Sequence, residues 1–161
     1  MDEGVKFADL LAYTADEHGR WRKFFTEHPE ALDVECDIAG AKTVRQLMFH
    51  VFVVNLFFAH QVNDLPLPDF QNLPQSTVEE LFGIDQDGTG KMKSFLETAS
   101  AEEWAKLKPL RFKDTNVSKR KMMTQAMLHG VHHRAQLATL LRQKGYQQDG
   151  PHDFILSRVM E

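Results

Sequence analysis

Residues 127–145, MLHGVHHRAQLATLLRQKG, read as a buried helix that carries three imidazoles where leucines would pack better. The helical spacing runs from Lys119 to Lys144, with Ser118 as N-cap and Gly145 as C-cap. Arg142 and Lys144 suit the negative end of the helix dipole. At about 100° per residue, with His129 as reference, Met122 and Leu140 lie about 20° away and His133 about 40°. Ala126 and Leu137 fall about 60–80° away, and His132 about 60° to the other side. His129 and His133 therefore stand in the middle of the apolar stripe, and His132 stands at its edge. An i, i+4 pair points one way, as two ligands of one metal must.

A second stretch, TVRQLMFHVFVVNLFFAHQV, starts at Thr43 with a capping box to Gln46 and is apolar nearly all round, which predicts burial on several sides. Leu47, Val54, Phe57 and Phe58 share the face of His50, so His50 also points inward. A third helix precedes these two, from about Val5 to Glu27, ended by His28-Pro29. A fourth begins at STVEELF, with a capping box between Ser76 and Glu79. Gly83, Gly88 and Gly90 open it to a break, at about 1 kcal/mol each relative to alanine. A short helix, SAEEWAKL, is capped by Ser100 with Glu103 and ends at Pro109. No strand is expected. The tail's Phe154, Ile155 and Leu156 are apolar enough to dock on the body.

Four long amphipathic helices make an all-α four-helix bundle, a single domain over residues 1–161. The apolar fraction of 42%, with 12 Phe and 7 Met, supplies a core. A net charge of −4 gives no basic footprint, so nucleic acid is excluded as a partner. The N-terminus does not read as a signal peptide, and the apolar run from Leu47 to Phe58 is too short to span a bilayer. A soluble cytoplasmic protein is expected. The lone Cys36 rules out an internal disulfide and a Cys-rich zinc site, and with no basic neighbour in sequence it reads as inert.

In a bundle core, an imidazole from one helix can meet an i, i+4 pair from another, so His50, His129 and His133 are the candidate ligands of one divalent metal. Left alone, each would be a buried polar group costing about 1–3 kcal/mol when unsatisfied. Three neutral ligands leave the ion its charge and its open positions, the catalytic rather than the structural arrangement. No Glu-x-x-His occurs for a di-iron centre, and no His-Glu-x-x-His for a zincin. DQDGTGKM opens like a calcium loop at Asp85 and Asp87, but Leu96 stands where a glutamate is needed, and a P-loop fails at Asp85. His18 reads as a packed edge histidine, and His28, His60 and His152 as solvated.

HGVHHRAQLATLLRQKG, TVRQLMFHVF, LLAYTADEHGRW and PHDFILSR together resemble the DinB-like family of metal-dependent proteins over nearly the whole chain. GIDQDGTG departs from the family pattern, in which this helix is uninterrupted. The resemblance implies long crossover connections, homodimers, and ligation by His50, His129 and His133. It makes His132 a rim residue, lets Arg134 and Gln136 orient ligands or partners, or else lie on the helix surface, and puts Glu17 where some relatives have a first-helix glutamate. It further implies an enzyme in which the metal, Zn or Ni foremost, with Fe or Mn as alternatives, activates a low-molecular-weight thiol against a small electrophile, as an S-transferase or isomerase. A hydrolase using metal-bound hydroxide is the second reading, with Glu17 or His132 as its acid or base. A non-catalytic metal-binding stress-response module is the third.

Overall fold

The structure, a computed structural model, describes residues 4–110, 114–150 and 152–160. Five helices carry it: α1 (Phe7–Glu27), α2 (Val44–Val62), α3 (Val78–Thr98), the short α4 (Ala101–Ala105) and α5 (Lys119–Gln143). The four long ones form the bundle, with α2 at its centre against α3 and α5, and α1 closing the remaining sides. None of the helices is long and apolar enough to cross a membrane.

The caps follow the sequence with small shifts. Thr43 accepts from the Gln46 amide at 3.3 Å, while Gln46 reaches back to the Lys42 amide rather than that of Thr43. The third long helix is capped one residue later than its first serine implies. Thr77 accepts from the Glu80 amide, and Glu80 Oε2 accepts from the amides of both Ser76 and Thr77. Ser100 and Ser118 cap α4 and α5, accepting from Glu103 and Lys121. Past α5, Gly145 takes a φ of +88°, the left-handed conformation that closes a helix end.

The glycines do not break α3. Gly83 and Gly90 face open space, where a missing side chain costs only the ordinary propensity term. Gly88 is different: a Cβ there would sit 3.2 Å from the Leu56 amide nitrogen. It lets the backbones of α2 and α3 approach closely. The calcium-loop reading fails here too, because Asp85 and Asp87 lie inside a continuous helix.

Two short antiparallel hairpins contradict the expectation of no strands: β1 (Glu35–Ile38) with β2 (Ala41–Thr43), and β3 (Leu107–Leu110) with β4 (Thr115–Ser118). Strands of three or four residues carry too few alternations to show a period of two. Pro109, inside β3, reads as a breaker yet is tolerated on a two-stranded edge. The short helix ends at Ala105 rather than running to Pro109. Lys119, at the start of α5, is buried and pairs with Asp64 at 2.7 Å and Glu103 at 2.5 Å, tying α5 to the end of α2 and to α4.

The core forms two apolar clusters. One gathers Trp21, Phe25, Phe52 and Phe82 at one end of the bundle; the other gathers Leu11, Phe58, Met122 and Phe95 at the other. Only part of the tail's apolar run docks: Phe154 packs edge-on against Tyr13 at 5.2 Å, while Ile155 is 85% exposed and Leu156 62%. Polar contacts and a ring stack hold the rest. Tyr13 donates to the His152 carbonyl, Lys23 pairs with Asp149 at 2.6 Å, and the His152 ring stacks on Trp21.

Candidate metal centre

Helical register brings three imidazoles to one point. His50 projects from α2, and His129 and His133 from successive turns of α5, so that one ligand nitrogen from each lies within 4.8 Å of the others. His50 Nε2 and His129 Nε2 are 3.0 Å apart. With metal–nitrogen bonds of about 2.0–2.1 Å, that separation places two ligands at roughly a right angle about one ion. His133 donates through Nδ1 to Gln136 Oε1 at 2.7 Å, which fixes its tautomer and leaves Nε2 as the free lone pair. His129 Nδ1 is buried with no partner among the described residues. Without an ion, one of the facing Nε2 atoms must give up its lone pair to donate to the other. An ion accepting both lone pairs satisfies the pair, so the donor set fits a divalent metal.

The electrostatics agree with ligation. Burial lowers the pKa of His129 to about 4, with the neighbouring imidazoles adding to the effect. Burial likewise lowers His50 and His133, the latter against the Gln136 hydrogen bond. Near neutral pH all three rings are uncharged, the state in which imidazole binds metal. Among the described residues no carboxylate joins the group, so a bound divalent ion keeps its full charge.

The remaining candidates separate clearly. His132 is exposed on the rim, its ring 5.0 Å from that of His133. Glu17 is buried elsewhere, with both carboxylate oxygens occupied by Arg20 at 2.8 Å and His152 at 2.6 Å. Burial would raise its pKa, but the His152 hydrogen bond and the nearby cations hold it below the usual carboxylate value. His152 is therefore no solvated loop residue: it is stacked, bonded and part of the tail's anchorage. His28 is not simply solvated either, being half-buried against the rings of Phe24 and Tyr146, and His60 bonds the Pro66 carbonyl.

His18 is packed deep in the bundle rather than at an edge, bonded to Asp85 at 2.7 Å and to Arg134 at 3.1 Å. A guanidinium only donates, so His18 Nε2 accepts from Arg134 while Nδ1–H donates to Asp85. Both ring nitrogens are spent, which removes His18 as a ligand. Arg134, one residue after a candidate ligand, is buried, and its guanidinium folds back over Gly130, where a Cβ would stand 3.0 Å from Nη1. Sequence reading left open whether Arg134 lies on the helix surface and gave Gly130 no role. An arginine four residues after a glycine on a core face was the available signal.

Comparison with known proteins now places the fold. The family model described as the DinB family matches residues 1–154. The chain belongs to the DinB family. A crystal structure of a DinB-like protein from Bacillus subtilis superposes with a TM-score of 0.63 at 18% identity, covering 89% of this chain and 97% of that one. At that identity the likeness speaks for the DinB fold alone. No curated protein matches the sequence. Family membership and the three-histidine group are together compatible with metal binding.

Proposed function

We propose that this DinB protein is a metal-dependent enzyme that transfers a low-molecular-weight thiol onto a small electrophile, with His50, His129 and His133 holding one divalent transition metal. The observation that carries the reading is a three-imidazole cluster opening into a groove. His129 lines a cavity of about 450 Å³, a size typical of small-molecule sites. A purely structural ion is normally closed in by four protein ligands. Here two apolar core clusters pack the bundle without using the three imidazoles, which supports a fold that needs no ion.

When bound, the metal supplies a Lewis acid that lowers the pKa of a thiol in its open position. The chain's own groups do the rest. Burial keeps the imidazoles neutral, Gln136 fixes the orientation of His133, and the groove holds the electrophile against the cluster. The thiol proton leaves to solvent. The sulfur forms its bond to carbon while the leaving group departs with its electron pair, so no redox partner is required. Glu17, committed to Arg20 and His152, is spent as an acid or base, which weakens the hydrolase reading.

The test is transfer of thiols such as glutathione and cysteine to 1-chloro-2,4-dinitrobenzene by protein loaded with Zn, Ni, Fe or Mn. The expected result is metal-dependent product formation, abolished in His133→Ala. Rates that equal the uncatalysed reaction with every metal and thiol would overturn the proposal.

A further inference from the structure

The groove beside the cluster has a built-in polarity that defines what fits it. On α2, Val54 and Phe58 follow His50 at i+4 and i+8 and make an apolar wall. On α5, Gln125 and Lys121 precede His129 at i−4 and i−8 and make a polar one. Two stripes of equal length thus run away from the imidazoles between the helices, and Val117 of the β3–β4 hairpin adds apolar cover at the side. Lys121 is the one charged group among the described residues lining the groove, and no ion pair with another described residue engages it. Three nearby lysines among the described residues, Lys106, Lys108 and Lys119, are instead held by Asp64. Eight residues of helix separate Lys121 from His129, a distance of about 12 Å along the axis.

We propose that the groove binds a small organic carboxylate with an apolar body, its carboxylate on Lys121 and its reacting end beside His129. As a statement of substrate class this rests on the enzymatic reading above, but the binding itself needs only Lys121 and the apolar wall. An uncompensated cation at the far end of an apolar slot discriminates by charge, while the helix spacing discriminates by length. A short anion such as acetate cannot span the two ends, and a neutral molecule of the same shape forgoes the charge-assisted hydrogen bond.

The test is calorimetric titration of 4-phenylbutanoate and its neutral isostere 4-phenylbutanamide into wild type, Lys121→Met and His133→Ala, each metal-loaded and after chelation. Lys121 is exposed, so its replacement tests charge rather than folding. The carboxylate is expected to bind wild type at least tenfold more tightly than the amide. Lys121→Met should erase that difference and leave the amide unchanged, while chelation and His133→Ala preserve it. Equal binding of the two probes, no binding of the carboxylate at millimolar concentration, or indifference to Lys121→Met would overturn the proposal. Carboxylate binding that vanishes on chelation would put the anion on the metal, contradicting this inference while supporting the metal centre. Lys121-dependent binding in a protein that takes up no metal would uphold the groove and remove the proposed reaction.

Discussion

A half-buried cluster of three histidines and a single sealed one share this bundle and have opposite characters. Among the described residues the His50–His129–His133 cluster has one side-chain hydrogen-bond partner from outside itself, Gln136, and His129 stands at the end of a groove. His18, between Asp85 and Arg134, has both nitrogens satisfied, and Phe52 packs across its ring at 5.2 Å. Both project from long helices toward the interior, so facing alone does not separate a ligand from a structural residue. What separates them is whether the lone pairs are already spent and whether anything can reach them.

The sharpest way to break the contrast is to remove Asp85. Asp85→Ala leaves the buried His18 Nδ1–H without its acceptor and removes one of the carboxylates, beside Glu17, whose charge favours the buried Arg134 guanidinium. The expected loss is about 3–5 kcal/mol of stability, read as a large drop in the urea midpoint, with metal uptake by the folded protein unchanged. A loss below about 1 kcal/mol would mean that the chain of polar groups is wet rather than sealed.

A smaller effect is expected on the open side. Gln136→Leu frees His133 to rotate and to choose either tautomer, which should weaken metal binding by roughly 10–100-fold. Stability of the metal-free protein should change little, because Gln136 is only partly buried. A competition titration with a fluorescent chelator measures the affinity. Unchanged affinity would show that the ring is held by packing alone.

Much of this was legible in the sequence. Helix arithmetic on α5 set His129 and His133 on the apolar stripe and His132 at its edge. The structure brings the first two together with His50 and leaves His132 on the rim. Capping residues located four helix starts to within a residue, since a hydroxyl or carboxamide at a helix start has a local job that shows locally. The features that were not legible depend on distant partners. Gly88 looks like a helix breaker until Leu56 stands against it, and Asp85 looks like the opening of a calcium loop until His18 meets it. His152, in a connection far from α1 in sequence, gave no hint of its stack on Trp21 or its bond to Glu17. The hairpins were hidden by brevity, and of the tail's apolar run only Phe154 docks, the other anchors being polar contacts and the stack of His152 on Trp21.

The most direct test of the central claim is the metal content of purified wild type beside His133→Ala, measured by elemental analysis, with far-UV circular dichroism before and after chelation. The account predicts about one metal per wild-type chain, a small fraction of that in the variant, and helical content that survives chelation. Absence of metal in both proteins, with none taken up on titration, would contradict the metal centre. Collapse of the helices on chelation would contradict its open, catalytic character.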